Sequence, residues 1–219
     1  MKNAALSRAL KWLFAAQLLS IVAMLPVVYA LKSLLQVAAG LLTLAALVVA
    51  AREASGYRSA LVLQAAALVL SILSYFFTRF LIPLIFGVAA ARWGGLDSSR
   101  AAVLLMTMQM GSFFLSVVLL ILGLLVLLLV CLTTAGLVDD PAVAARGSWA
   151  WKVNLICTVA VLVLTVAAFA LSVVRLDMEK LLGLSTAITL LSAVIRLAGS
   201  ALYLRFLWQS ARCLSAAGG

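Results

Sequence analysis

Residues Ala101–Leu132, AAVLLMTMQMGSFFLSVVLLILGLLVLLLVCL, run without a single charge. A bilayer core about 30 Å thick is crossed by roughly 20 apolar residues in a helix. At 1.5 Å per residue this stretch would be about 48 Å long, so it must tilt or project beyond the lipid.

Working outward, five more apolar runs of membrane length flank it, at 12–30, 34–51, 60–77, 153–174 and 181–208. Together they predict an all-α, polytopic transmembrane helix bundle of about six spans. Residues 1–219 then form a single integral membrane domain with no soluble domain. Composition agrees: the chain is 67% hydrophobic and 10% charged, against roughly 25% charged in soluble domains. So few charges cannot cover a water-facing surface, which excludes a soluble globular protein, a disordered chain and a coiled coil.

The connections follow from the same pattern. Only Leu31, Lys32 and Ser33 part the first two spans, which predicts a tight antiparallel hairpin. Residues 52–59, REASGYRS, form the first polar connection, with Gly56 as a break and Tyr57 as an interface aromatic. The stretch Thr133–Lys152 reads as the longest polar loop. Segment 78–93 holds Arg79, Pro83 and an apolar run too short to cross comfortably, so it is expected to be interfacial or re-entrant. A thin seventh span is the alternative. The even number of spans, arranged as hairpins, hints at three stacked helix pairs. Near the start, Lys2, Arg8 and Lys11 precede an apolar run reaching Val28-Tyr29-Ala30, the outline of a secretory signal. A second apolar run begins almost at once, which favours an uncleaved first span.

The net charge is +10, but the basic residues stand one or two at a time between apolar runs, as juxtamembrane anchors do. With both termini cytoplasmic, nine lie inside: Lys2, Arg8, Lys11, Arg52, Arg58, Arg146, Lys152, Arg205 and Arg212. Six lie outside, in the direction of the positive-inside rule, although seven spans give the same count. The expected location is a bacterial cytoplasmic membrane. The expected partners are membrane lipids, anionic ones included, and a membrane protein or a second copy of the chain. Nucleic acid is not among them.

Catalysis finds few candidates. The chain has no histidine, and its six acids, Glu53, Asp97, Asp139, Asp140, Asp177 and Glu179, all fall in predicted connections. No nucleophile elbow, P-loop or zinc-protease motif occurs, so the chain is not expected to be an enzyme. Without an ATP site, any transport would be secondary or driven by a separate motor. Asp139-Asp140 ahead of Pro141 reads as a solvated turn before it reads as a cation site. Cys131, Cys157 and Cys213 are too scattered to hold a metal and read as buried thiols. No cofactor is implied.

Arg196 stands out. It lies fifteen residues after Leu181 and twelve before Trp208, midway along the last apolar run. A central arginine costs about 2.5–3.5 kcal/mol on insertion scales. With every acid in a connection, it must snorkel, cap helix-end carbonyls, or meet an anionic ligand, a lipid phosphate or another subunit's acid. Arg79 poses the same question at a span end. Five amides follow, one in each of the first five spans: Gln17, Gln36, Gln64, Gln109 and Asn154. They serve either as hydrogen-bonded glue between helices or, gathered around Arg196, as a polar pocket. The small-residue pairs Ala46/Ala50, Ser112/Ser116 and Ala168/Ser172 are read as helix-packing positions.

No stretch carries a motif diagnostic of a family. Two functions remain: a small protein that binds or transports a small anion or anionic lipid at Arg196, and a non-catalytic accessory or scaffold subunit of a larger membrane complex.

Overall fold

The computed structural model describes residues 2–23, 31–81, 83–85, 87–88, 98–173 and 178–216, with no strand among them. Six long helices carry the chain: α1 (Lys2–Val22), α2 (Lys32–Glu53), α3 (Gly56–Phe76), α4 (Ser98–Ala135), α5 (Pro141–Val173) and α6 (Met178–Ala216). A single π-helical turn, Phe77–Leu81, prolongs α3. Each long helix contains a stretch long and apolar enough to cross a bilayer, so the protein is a multi-pass helical membrane bundle. Residues 24–30, with the Val28-Tyr29-Ala30 motif, and 89–93 of the expected re-entrant segment lie outside the described residues.

Two connections show how local chemistry ends one helix and starts the next. The α2–α3 corner is only Ala54 and Ser55, with Ala54 extended at φ −143° and ψ 127°. Gly56 opens α3 because its backbone presses on α4: a Cβ there would stand 2.7 Å from the Thr133 side chain. The region expected to be the longest loop, Thr133–Lys152, is mostly helix, since α4 continues to Ala135 and α5 begins at Pro141. Pro141 takes the first helical position, where its missing N–H is not needed. Asp140 caps the helix, accepting a 2.8 Å hydrogen bond from the Ala142 amide through Oδ1. The polar residues there mark a capped, water-facing helix start rather than a loop, and Asp140 serves that cap.

Each helix packs on its neighbours in the chain, and α1 also packs on α6. The six therefore form a ring closed in chain order, not three stacked pairs. The α2–α3 corner and the contacts of Tyr57 with Thr134, Gly147 with Ala135 and Phe206, and Ser7 with Ala211 bring the start of α1, the end of α2, the start of α3, the end of α4, the start of α5 and the end of α6 together at one end. The continuous core lies there. Leu10, Leu47, Tyr57, Val130, Phe206 and Leu207 are all essentially sealed from solvent.

Beyond this closed end, burial persists along the α1–α2 hairpin, where Ala16, Ala23 and Ala39 let the two backbones approach. Elsewhere it thins quickly, and large apolar side chains such as Val62, Phe114, Ile156 and Val194 are exposed. That is what lipid contact requires, since lipid tails are as apolar as leucine.

The packing corrects two expectations. Tyr57 is not an interface aromatic: it is fully buried, with its hydroxyl 2.7 Å from Thr134 Oγ1. Its phenol goes inside because a partner waits there. Tyr203 is buried as well, whereas Trp12, Trp149 and Trp208 are exposed. Among the small pairs, Ala46 and Ala50 are wholly buried. Ser112 and Ser116 are exposed, and Ser116 bonds back to the Ser112 carbonyl within α4.

Candidate functional site

The buried face of α6 places Arg196. Gly199, Ser200, Tyr203, Leu207 and Leu214 are buried, and at about 100° per residue they share one side of the helix. Arg196 precedes Gly199 and Ser200 by three and four positions and falls at the middle of that same side. Its side chain is nevertheless exposed. Burial on the inward stripe of α6 thus stops between Gly199 and Arg196, and the guanidinium stands one turn past the packed core. No ion pair joins it to a carboxylate among the described residues.

Two of the five amides converge on the turn just before that point. Gln17 of α1 donates from Nε2 to Ser200 Oγ at 3.1 Å. Asn154 of α5 donates from Nδ2 to the Gly199 carbonyl at 3.0 Å and to its own Ala150 carbonyl at 2.8 Å. Helices from both sides of α6 are therefore tied to adjacent residues of it. These two amides join helices, at about 0.6 kcal/mol per bond by membrane precedent.

The remaining expected site residues do not join this layer as a set. Gln64 continues the inward stripe of α3, one turn beyond Ala60, and is half-buried. Gln36 lies on the inward stripe of α2, three residues before the buried Ala39, and is exposed. On α4 the same stripe passes through Gly123, where an added Cβ would meet nothing within 4 Å. Gly123 is itself exposed. Arg79 belongs to the π-helical turn and Gln109 to α4, and both side chains lie outside the described residues.

Two of the concavities among the described residues lie at the closed end, and neither of these takes in Arg196. One lies at the α2–α3 corner, between Glu53–Gly56 and the end of α4. The other runs between α5 and α6, lined by Arg146, Trp149, Ala150, Leu202, Arg205 and Phe206. The described residues contain no cluster of metal-ligating side chains, and Cys131, Cys157 and Cys213 are free thiols. Cys131 is buried as expected, while Cys157 and Cys213 are half-buried.

Residues that sequence reading passed over include Ser200 and Gly199, whose signal was their spacing from Arg196. The pairing of Arg146 with Arg205 had no signal, because 59 positions separate them and only the packing of α5 on α6 brings them together. Set against known proteins, the chain matches no family model, no curated relative and no solved structure.

Proposed function

We propose that the protein binds a small anion or the headgroup of an anionic lipid at Arg196, inside the half of the ring that faces away from the closed end. The observation that carries this reading is the place of Arg196: inward on α6, accessible, and one turn beyond a packed polar layer. A guanidinium held there offers a forked set of donors to phosphate or carboxylate. Gln36 and Gly123, both exposed, lie on the inward stripes of α2 and α4 in the same half of the ring. Among the described side chains, the exposed basic ones other than Arg196, namely Arg8, Lys11, Arg52, Arg58, Arg146, Lys152, Arg205 and Arg212, belong to the closed end. By the positive-inside rule that end faces the cytoplasm, which puts the half holding Arg196 toward the other face of the membrane.

A second reading draws on a different observation. Gln17 and Asn154 are engaged in joining helices rather than gathered around Arg196. On this reading the protein is an accessory subunit whose Arg196 meets a carboxylate of a membrane partner. Native mass spectrometry of the purified full chain separates the two, wild type beside Arg196→Leu. A bound anion or lipid present in the wild type and lost in the variant supports the first. A bare wild type that acquires a protein partner on gentle extraction, lost in the variant, supports the second. Identical spectra for both proteins would sink both roles for Arg196.

A further inference from the structure

We infer that the groove between α5 and α6 at the closed end seats the headgroup of one anionic phospholipid from the adjoining leaflet. This site is separate from Arg196. In helical phase Arg205 is opposite the inward stripe of α6 and so faces away from the ring. The groove encloses about 210 Å³, with Ala150, Leu202 and Phe206 as its floor and Arg146, Arg205 and Trp149 around its rim.

Its parts suit a phosphodiester on an acyl chain. Arg146 and Arg205 are both exposed, and neither pairs with a carboxylate among the described residues. Arg146 donates from Nη1 to Gln209 Oε1 at 2.7 Å, which steadies the guanidinium at the rim. A guanidinium has five N–H donors, so the rest remain for phosphate oxygens. Trp149, 68% exposed, adds an indole N–H at the level where tryptophans favour the membrane interface.

The floor is apolar and fixed. Phe206 is 1% exposed and its ring lies against the bare backbone of Gly147, where a Cβ would come within 2.7 Å of Cε2. Toward the bilayer interior, Leu191, Ile195, Ala198 and Leu202 follow one another along one face of α6, offering about 16 Å of apolar surface to an acyl chain. A free phosphate would use the rim and leave this floor and track without a role, so the ligand is a lipid. Two unpaired cations at the rim select a net negative headgroup over a zwitterionic one.

The test is native mass spectrometry of the full chain from nanodiscs holding equal phosphatidylglycerol and phosphatidylcholine, comparing the wild type with an Arg146→Gln/Arg205→Gln double variant, each with and without Arg196→Gln. The wild type should retain phosphatidylglycerol in preference to phosphatidylcholine. At the usual contribution of a basic residue near a membrane surface, the double variant should bind one phosphatidylglycerol about thirty-fold more weakly, by the same factor in either background. Equal retention of the two lipids by the wild type would overturn the inference. So would undiminished phosphatidylglycerol in a double variant that melts like the wild type, or a loss confined to the proteins that keep Arg196. Displacement of the lipid by inorganic phosphate at matching concentration would reassign the rim to a free anion and overturn the lipid. Should the double variant fail to fold, the wild-type headgroup competition still decides.

Discussion

Asn154 can reach the Gly199 carbonyl because residue 199 has no side chain: a Cβ there would lie 2.8 Å from Asn154 Oδ1 and 3.5 Å from Cys157 Sγ. The glycine thus lets α5 and α6 close on each other and lets an amide cross between them. Gly199→Ala should push Asn154 away and lower stability by about 1–3 kcal/mol, the usual penalty for overpacking. Asn154→Ala should lose less, about 0.6–2 kcal/mol. Because both changes remove one contact, the double variant should cost less than their sum. Reversible unfolding in mixed detergent measures all three; strict additivity would show that the two residues do not act together.

The hydroxyls of Tyr57 and Thr134 lie 2.7 Å apart with both residues fully buried. Tyr57→Phe and Thr134→Val should each leave the partner hydroxyl unsatisfied, at about 1–3 kcal/mol. Replacing both together removes the stranded group and should cost less than the two singles combined. A double-mutant cycle with no coupling would show that each hydroxyl finds another acceptor when its partner is gone.

At the α1–α6 contact two serines should behave oppositely. Ser7 Oγ donates to the Ala211 carbonyl at 2.7 Å, whereas the fully buried Ser210 hydroxyl has no hydrogen-bond partner among the described residues. Ser7→Ala should destabilise by about 1 kcal/mol. Ser210→Ala should be neutral or stabilising by a similar amount, since it removes a desolvated polar atom. Loss of stability in Ser210→Ala would mean that its hydroxyl is satisfied in the membrane.

Glycines give a second contrast. An added methyl at Gly147 would stand 2.7 and 2.8 Å from Phe206 ring carbons, while one at Gly123 meets nothing within 4 Å. Gly147→Ala should therefore lower the melting temperature, and Gly123→Ala should leave it unchanged or raise it slightly, as alanine is the better helix former. A matching loss at Gly123 would indicate that the space beside it is filled.

Arg196→Leu should preserve folding, because the side chain is exposed and forms no ion pair among the described residues. Insertion should become easier, by about 2.5–3.5 kcal/mol or less depending on depth. Circular dichroism and thermal melting check this independently of any ligand. Collapse of the fold would assign Arg196 a structural bond and remove it as a ligand site.

Six apolar runs, each of membrane length and parted by charge, left the chain no fold class other than a helical membrane bundle. That inference rests on solvation alone: backbone polar groups in lipid must bond within their own helix, and sequence reports apolar length directly. The same arithmetic singled out Arg196, since a charge within a run is conspicuous wherever it points. Which residues face one another was another matter. Tyr57 looked like an interface anchor and proved to be core, and Thr133–Lys152 looked like a loop and proved to hold a capped helix start. Gln17 and Asn154 became ties between helices, while Gln36 remained exposed. Contacts between neighbouring helices decided the tyrosine and the amides, and the Asp140 cap decided the helix start. In an apolar chain every helix face reads as hydrophobic, so the inward stripe is set by small residues such as Gly147 and Gly199 and by the mutual fit of neighbours. That fit exists only once the ring has formed.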